Sequence, residues 1–222
     1  TIYIQINENM LTQVRSIQFI GLKNFTPNHL YDVIDLKPNS TLSLVKVYDS
    51  YNKLRTFYQK NGYLEFQILT PPEDLVRFID NYAFADIKFT VQEGPQVIIK
   101  DIIVRGNSFT KDKVVLREID LEPGMVLTSD LINDSVVFLE RTQLFARAQI
   151  QTSDTNTDVR ERTVYIDVQE KNPGLFSSGL GLSNERGITL RGNTGVSYQN
   201  IGGSGRGLSA RGEVRYSLDP DV

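Results

Sequence analysis

Few residues in this chain have the type and spacing to do chemistry. His29 is the only histidine and there is no cysteine, so neither a zinc centre nor a histidine-based acid–base pair can be assembled. We read it as a solvated residue near the start of a short helix. Asp154-Thr155-Asn156-Thr157-Asp158 opens like a calcium loop, but Val159 stands where the sharp-turn glycine belongs and Tyr165 where the bidentate glutamate belongs. A polar β-hairpin loop is expected there instead. Gly203-Ser204-Gly205-Arg206-Gly207 lacks dinucleotide spacing and leads into a strand rather than a helix, so no phosphate cradle forms. The serines and aspartates have no base partner. The expectation is a protein that is not an enzyme, with no cofactor and no metal.

Composition narrows the class further. Without cysteine, disulfide scaffolds and thiol catalysis drop out. A net charge of -3 with no Lys/Arg cluster argues against a nucleic-acid surface. No apolar run approaches the length of a transmembrane helix. The chain opens on Thr1-Ile2-Tyr3-Ile4-Gln5-Ile6, already alternating, and reads as a piece of a longer protein whose signal peptide, if any, is gone.

Glycine is spread unevenly: residues 1–171 hold five and residues 172–222 hold eleven. The early part contains an internal repeat. Eighty-five residues separate Ile17 from Ile102 and Gly21 from Gly106, and the same offset relates Ile34-Asp35-Leu36-Lys37-Pro38 to Ile119-Asp120-Leu121-Glu122-Pro123. Three alternating segments, 2–8, 87–93 and 164–170, each close on glutamate (Glu8, Glu93, Glu170). Collinear matches along a whole unit are not chance.

Each repeat parses by period. A strand (15–20; 100–105) ends at Gly21 or Gly106. A short helix follows, with Thr26 as N-cap before Pro27 in one copy and Thr110 expected to cap the other. Pro38 and Pro123 stop these helices. A longer helix over 43–60 carries Leu44, Val47, Tyr48, Tyr51, Leu54 and Tyr58 on one stripe, and its counterpart uses Ile132, Val136 and Leu139. Two strands complete each unit (63–69 and 84–92; 145–152 and 163–169). The predicted fold class is α+β: tandem β-α-α-β-β units, each a three-stranded sheet covered by two helices. The expected boundaries are 1–12 for the last strand of a preceding unit, 13–94 and 95–171 for two units, and 172–222 for a different segment. Pro71-Pro72-Glu73-Asp74 is read as a spacer between strands, with a partner-contacting loop as the alternative.

In that last segment the period stays at two. Phe176, Leu180 and Leu182 oppose Ser177, Gly179, Gly181 and Ser183; Asn184-Glu185-Arg186-Gly187 marks a turn, followed by Ile188 and Leu190. Leu208, Ala210, Val214, Tyr216 and Leu218 fall on even positions, with Arg211, Glu213 and Arg215 on odd ones. Strands of about ten residues, apolar on one face, are the pattern of transmembrane β-barrel hairpins. An ordinary sheet with one wet face shares it on pattern alone, and a flexible Gly-rich linker is the other alternative.

These residues resemble a known family. The β-α-α-β-β unit, with junctions INENMLTQVRSIQFIGLKNF (6–25) and VQEGPQVIIKDIIVRGNSF (91–109), is similar to polypeptide-transport-associated (POTRA) domains. Their position ahead of GLGLSNERG and NIGGSGRG resembles BamA-like outer-membrane assembly factors. The resemblance implies POTRA repeats followed by the first strands of an antiparallel transmembrane β-barrel, with the POTRA region in the periplasm of a bacterial (or organellar) outer membrane. It implies unfolded outer-membrane β-barrel proteins and accessory assembly lipoproteins as partners, received by β-augmentation at edge strands and passed on for membrane insertion. The edge strands it points to are Tyr63, Leu64, Glu65, Phe66, Gln67, Ile68 and Leu69, and Ala146, Arg147, Ala148, Gln149, Ile150 and Gln151. Two-partner secretion transporters and TamA-like translocation pores share this plan, and a structural periplasmic spacer is a third reading.

Overall fold

The computed structural model describes residues 11–183 and 189–217. The expected strand at 1–8, the turn at 184–187, Ile188 and Leu218 lie outside the described residues. The chain forms two compact units. The first takes the described residues up to Lys100 together with Pro123–Asp130 and Asp154–Arg162; the second takes Asp101–Glu122, Leu131–Ser153 and the described residues from Thr163 onward.

In the first unit, β1 (Gln13–Ile20) leads to α1 (Pro27–Ile34) and α2 (Leu44–Lys60), then to β2 (Gln67–Ile68), β3 (Val76–Ile79) and β4 (Phe84–Gln92). Pro27 occupies the first turn of α1, where a missing N–H costs nothing. The helix ends at Asp35 in the left-handed conformation, three residues before Pro38. Ser43 caps α2, its hydroxyl accepting from Lys46 N–H. β4 is central: β1 runs parallel on one side, and β2 and β3 pair antiparallel on the other. The core joins Val14, Ile87, Phe89 and Val91 of the sheet to Leu30, Ile34, Val47, Leu54 and Tyr58 of the helices. The predicted stripe on α2 is half right, because Leu44 and Tyr48 are exposed.

The expected strand over 63–69 is corrected to two residues. Gly62 and the following turn carry Tyr63 N–H to the Tyr58 carbonyl and Phe66 N–H to that of Tyr63. Tyr63 and Phe66 are thereby buried against Tyr58, whose ring stacks on Phe66 at 3.9 Å. The expected spacer holds a short 3-10 turn (Pro72–Asp74) and then β3, so the first sheet has four strands, not three.

In the second repeat, β5 (Ile98–Arg105) is followed by α3 (Asp112–Leu116), α4 (Ser129–Arg141), β6 (Phe145–Thr152) and β7 (Glu161–Glu170). The sheet order is β5-β7-β6. Val114, Val115, Leu139, Phe145, Val164, Ile166 and Val168 are buried.

The repeat marks in the sequence have physical causes. Gly21 and Gly106 both adopt positive φ, and a Cβ there would lie 2.2 Å from the Val91 carbonyl oxygen and 2.1 Å from that of Val168. Each glycine therefore lets the turn after the first strand lie against the central strand. The closing glutamates anchor the same turn. Glu93 accepts from Asn24 N–H and Nδ2 and from Tyr58 Oη. Glu170 accepts from Phe109 and Thr110 N–H and from the Thr110 hydroxyl. Thr110 is thus not the helix cap, a place taken by Lys111; its hydroxyl donates to Glu170 and its oxygen accepts from Asn200 Nδ2.

The last segment forms an antiparallel meander of β8 (Gly174–Ser183), β9 (Thr189–Tyr198) and β10 (Leu208–Ser217). Its register puts Phe176, Val196 and Ala210 in one row, Leu180, Gly192 and Val214 in another, and Leu182, Leu190 and Tyr216 in a third. Even-numbered residues build an apolar face that stays exposed, Leu180 to 88%. Arg191, Arg211, Glu213 and Arg215 share the other face.

The glycine-rich turn between β9 and β10 docks within the second unit. Asn200, itself left-handed and buried, donates from Nδ2 to the Thr110 hydroxyl at 2.7 Å and accepts from Gly205 N–H. Lys111 N–H donates to the Gly203 carbonyl. Gly203 at positive φ is pressed so closely that a Cβ would meet the Phe109 carbonyl oxygen at 2.1 Å.

Candidate functional site

An open sheet edge offers unpaired N–H and C=O groups to an extended peptide. In the first unit, β2 holds this place beside α2. Tyr51 and Arg55 of the helix and Phe66, Gln67 and Ile68 of the strand segment line a groove of about 280 Å³. Its polar contacts are specific: Tyr51 Oη donates to the Ile68 carbonyl at 3.3 Å, while Leu69 N–H is already paired to Thr90 O on β4. Leu69, next in the chain after Ile68, is exposed. A peptide adding to this edge would meet a guanidinium, two aromatic rings and one carbonyl covered by a phenol.

The predicted edge residues divide accordingly. Gln67, Ile68 and Leu69 remain on a strand edge. Tyr63 and Phe66 are core residues, and Leu64 is half-buried beside them. Glu65 is committed elsewhere: Oε1 accepts from Arg162 Nη1 at 2.6 Å and from Asn156 N–H, and Oε2 accepts from Arg162 Nη2. Arg162 is only 1% exposed and also donates to the Thr157 and Val159 carbonyls. The calcium-like segment 154–158 is the loop this ion pair holds. Sequence alone missed Tyr51 and Arg55 as groove walls, although their one-turn spacing on a helix placed them on the same face.

In the second unit, β6 is a full eight-residue edge strand. Ala148 faces the core, Ile150 is partly buried, and Ala146, Arg147, Gln149 and Gln151 are exposed. The predicted residues 146–151 therefore all lie on one edge, whereas those at 63–69 do not.

Two carboxylates near these edges have altered acidity. Burial alone would raise the Glu65 carboxyl, but hydrogen bonds from Arg162 and Asn156 N–H carry it below the usual carboxylate value. Burial works the same way at Glu170 and is again outweighed, here by the Thr110 hydroxyl and the 108–110 amides. A folded value below the unfolded one means that the unfolded state binds the extra proton first. The stabilisation is present above the ordinary glutamate range, about pH 4.3, and is lost as pH falls through the depressed value. Thermal melts should hold steady from pH 7 to 5 and drop below pH 4, and Glu170→Gln should flatten that acid drop.

Residues 12–94 and 97–171 each match the family model described as POTRA, "Surface antigen variable number repeat". The outer membrane protein assembly factor BamA of Buchnera aphidicola subsp. Acyrthosiphon pisum (strain APS) is 25% identical over 178 residues, which cover 80% of this chain and 28% of that protein. The chain therefore spans under a third of this relative's length. BamA from Haemophilus ducreyi lacking POTRA domains 1-3 superposes with a TM-score of 0.74 at 19% identity, over 91% of this chain and 37% of that one. Haemophilus influenzae BamA POTRA3-5 gives 0.56 at 21% identity, over 72% and 61%. At these identities the structural likeness is one of fold.

Proposed function

Because this chain belongs to the POTRA family of surface-antigen repeats, we propose that it is the periplasmic region and first membrane strands of an outer-membrane assembly factor. Its sheet edges receive unfolded β-barrel proteins, which the complete protein promotes into the outer membrane. The observation that carries this reading is the β8–β9–β10 meander. Its three ten-residue strands rise about 33 Å each, and tilted near 45° they span the apolar band of a bilayer. Their exposed even-numbered face is apolar apart from a middle row of Ser178, Thr194 and Gly212. A water-facing sheet of this size would leave that face as an aggregation surface; lipid is the solvent it suits. Three strands do not close a barrel, so the reading needs further strands from the same protein.

Reception follows from the edges. β6 is an eight-residue edge strand paired to β7 on one side only, and β2 offers a shorter edge beside the Tyr51–Arg55 wall. Peptides with alternating apolar residues, taken from outer-membrane barrel strands, are expected to shift the amide signals of 146–151 and 67–69. Tyr51→Phe frees the Ile68 carbonyl and should tighten binding at the β2 edge by a few-fold, the worth of one modest hydrogen bond. Unmoved amides at both edges would remove the receiving role. Depletion of the full-length protein separates assembly from dedicated export: loss of many barrel proteins supports the proposal, and loss of a single secreted substrate overturns it.

A further inference from the structure

The two repeats use the tip of their last hairpin differently. In the second repeat, the tip residues Asp154–Arg162 belong to the first compact unit, held there by the buried Arg162–Glu65 pair. Aligning Glu93 with Glu170 puts Phe84 of the first repeat at the place of Glu161 and Ala85 at the place of Arg162. The corresponding tip in the first repeat is the β3–β4 turn, and there the ionic anchor is replaced by aromatic surface. Phe78 and Tyr82 pack ring to ring at 5.0 Å, yet Tyr82 is 59% exposed and Phe78 and Phe84 are also exposed.

This surface is rigidly built. Asp80, Asn81 and Tyr82 are three consecutive non-glycine residues at positive φ, a run that is unfavourable for L side chains and persists only where the surroundings impose it. The imposing contacts lie behind the tip. Ala83 N–H donates to Asp80 O, Gln13 N–H to Ala83 O, and the Thr12 hydroxyl to Tyr82 O at 2.7 Å. Leu11, exposed, is the first described residue beside them. A strained turn held from within, with its rings turned outward, has the form of a preorganised docking element.

We propose that the Phe78–Tyr82–Phe84 tip is the seat of a further repeat of the same fold, lying ahead of Leu11, and that this junction is apolar where the next one is ionic. The occupant is argued from the repeat itself: the equivalent tip in the second copy already completes the unit that precedes it. The inference rests on the reading that residues before 12 end a preceding POTRA unit. It goes beyond that reading by assigning the surface and its chemistry.

The chain is free of cysteine, so Tyr82→Cys and Phe78→Cys each give a single reporter in this fragment; any native cysteines of the full-length protein are first replaced by serine. In the fragment of residues 1–222, both thiols should react rapidly with a maleimide. In the full-length protein, labelling at both positions should slow at least tenfold, and circular dichroism melts confirm that each variant folds. Equal rates in the two chains overturn the docking surface, while the upstream sequence independently shows whether a preceding unit exists. Protection appearing only with lipid vesicles would instead assign the tip to a membrane surface and overturn the proposal. Concentration-dependent protection of the fragment, with a dimer in sedimentation, would assign it to a second copy and do the same.

Discussion

Arg162→Ala is expected to destabilise the first compact unit by about 3 kcal/mol, because it strands a carboxylate rather than merely deleting a contact. The guanidinium is 1% exposed and the Glu65 side chain 13% exposed. Removing the cation leaves Glu65 with a single Asn156 N–H and deprives the Thr157 and Val159 carbonyls of their donors. Urea unfolding should show a lowered midpoint, and amide exchange should accelerate over 154–162 before it does in β4. The pair itself contributes much less than its breakage costs, since both ions were taken out of water to form it. Glu65→Leu with Arg162→Met should therefore recover most of the loss. A double-mutant cycle over Glu65→Gln and Arg162→Ala isolates the coupling, and a coupling near zero would mean that the loop is held by its backbone alone. High salt should change little, as a buried pair is poorly screened.

How legible all this was in the sequence varies with the kind of force involved. Gly21 with Gly106, and Glu93 with Glu170, were visible as an offset because each pair does one job in two copies: a close approach to the central strand and an anion capping the turn beside it. The even–odd face of the meander was visible because alternation is the direct consequence of strand geometry. β3 was not visible. Val76–Ile79 is only four residues long, and its turn is made by Asp80, Asn81 and Tyr82, without the glycine that usually announces a left-handed turn. The strand over 63–69 misled for the opposite reason. Its alternation is real, but Tyr63 and Phe66 satisfy the aromatic cluster around Tyr58 and so pull the chain into a turn. Arg162 looked like any surface arginine, since its partner lies 97 residues away. The groove at β2 depends on a helix lying over a strand, and no local pattern encodes that.

Gly106→Ala and Gly203→Ala create nearly the same collision and should have very different consequences. In each, the new Cβ would sit 2.1 Å from a carbonyl oxygen, at a φ of +85° or +70°. The left-handed conformation alone costs a non-glycine residue about 1–2 kcal/mol, and the contact adds to it because the obstacle is backbone rather than a flexible side chain. At Gly106 the carbonyl belongs to Val168 in the middle strand of the β5-β7-β6 sheet, flanked by buried Val164 and Ile166. Neither partner can retreat without opening the core, so a loss of about 3–4 kcal/mol and a fall in Tm of the second unit are expected. At Gly203 the obstacle is Phe109 O, on the turn before α3. The glycine-rich loop can lift away, at the cost of the Asn200–Thr110 and Lys111–Gly203 hydrogen bonds. Exchange should then accelerate at Lys111 and across 200–206, with β5, β6 and β7 left protected. Glu170 keeps its own donors in that variant, so the acid sensitivity of the second unit should also survive. If Gly203→Ala instead lowered the Tm as far as Gly106→Ala, the β9–β10 turn would be part of the folding core of the second repeat, and the meander could not separate from it without unfolding it.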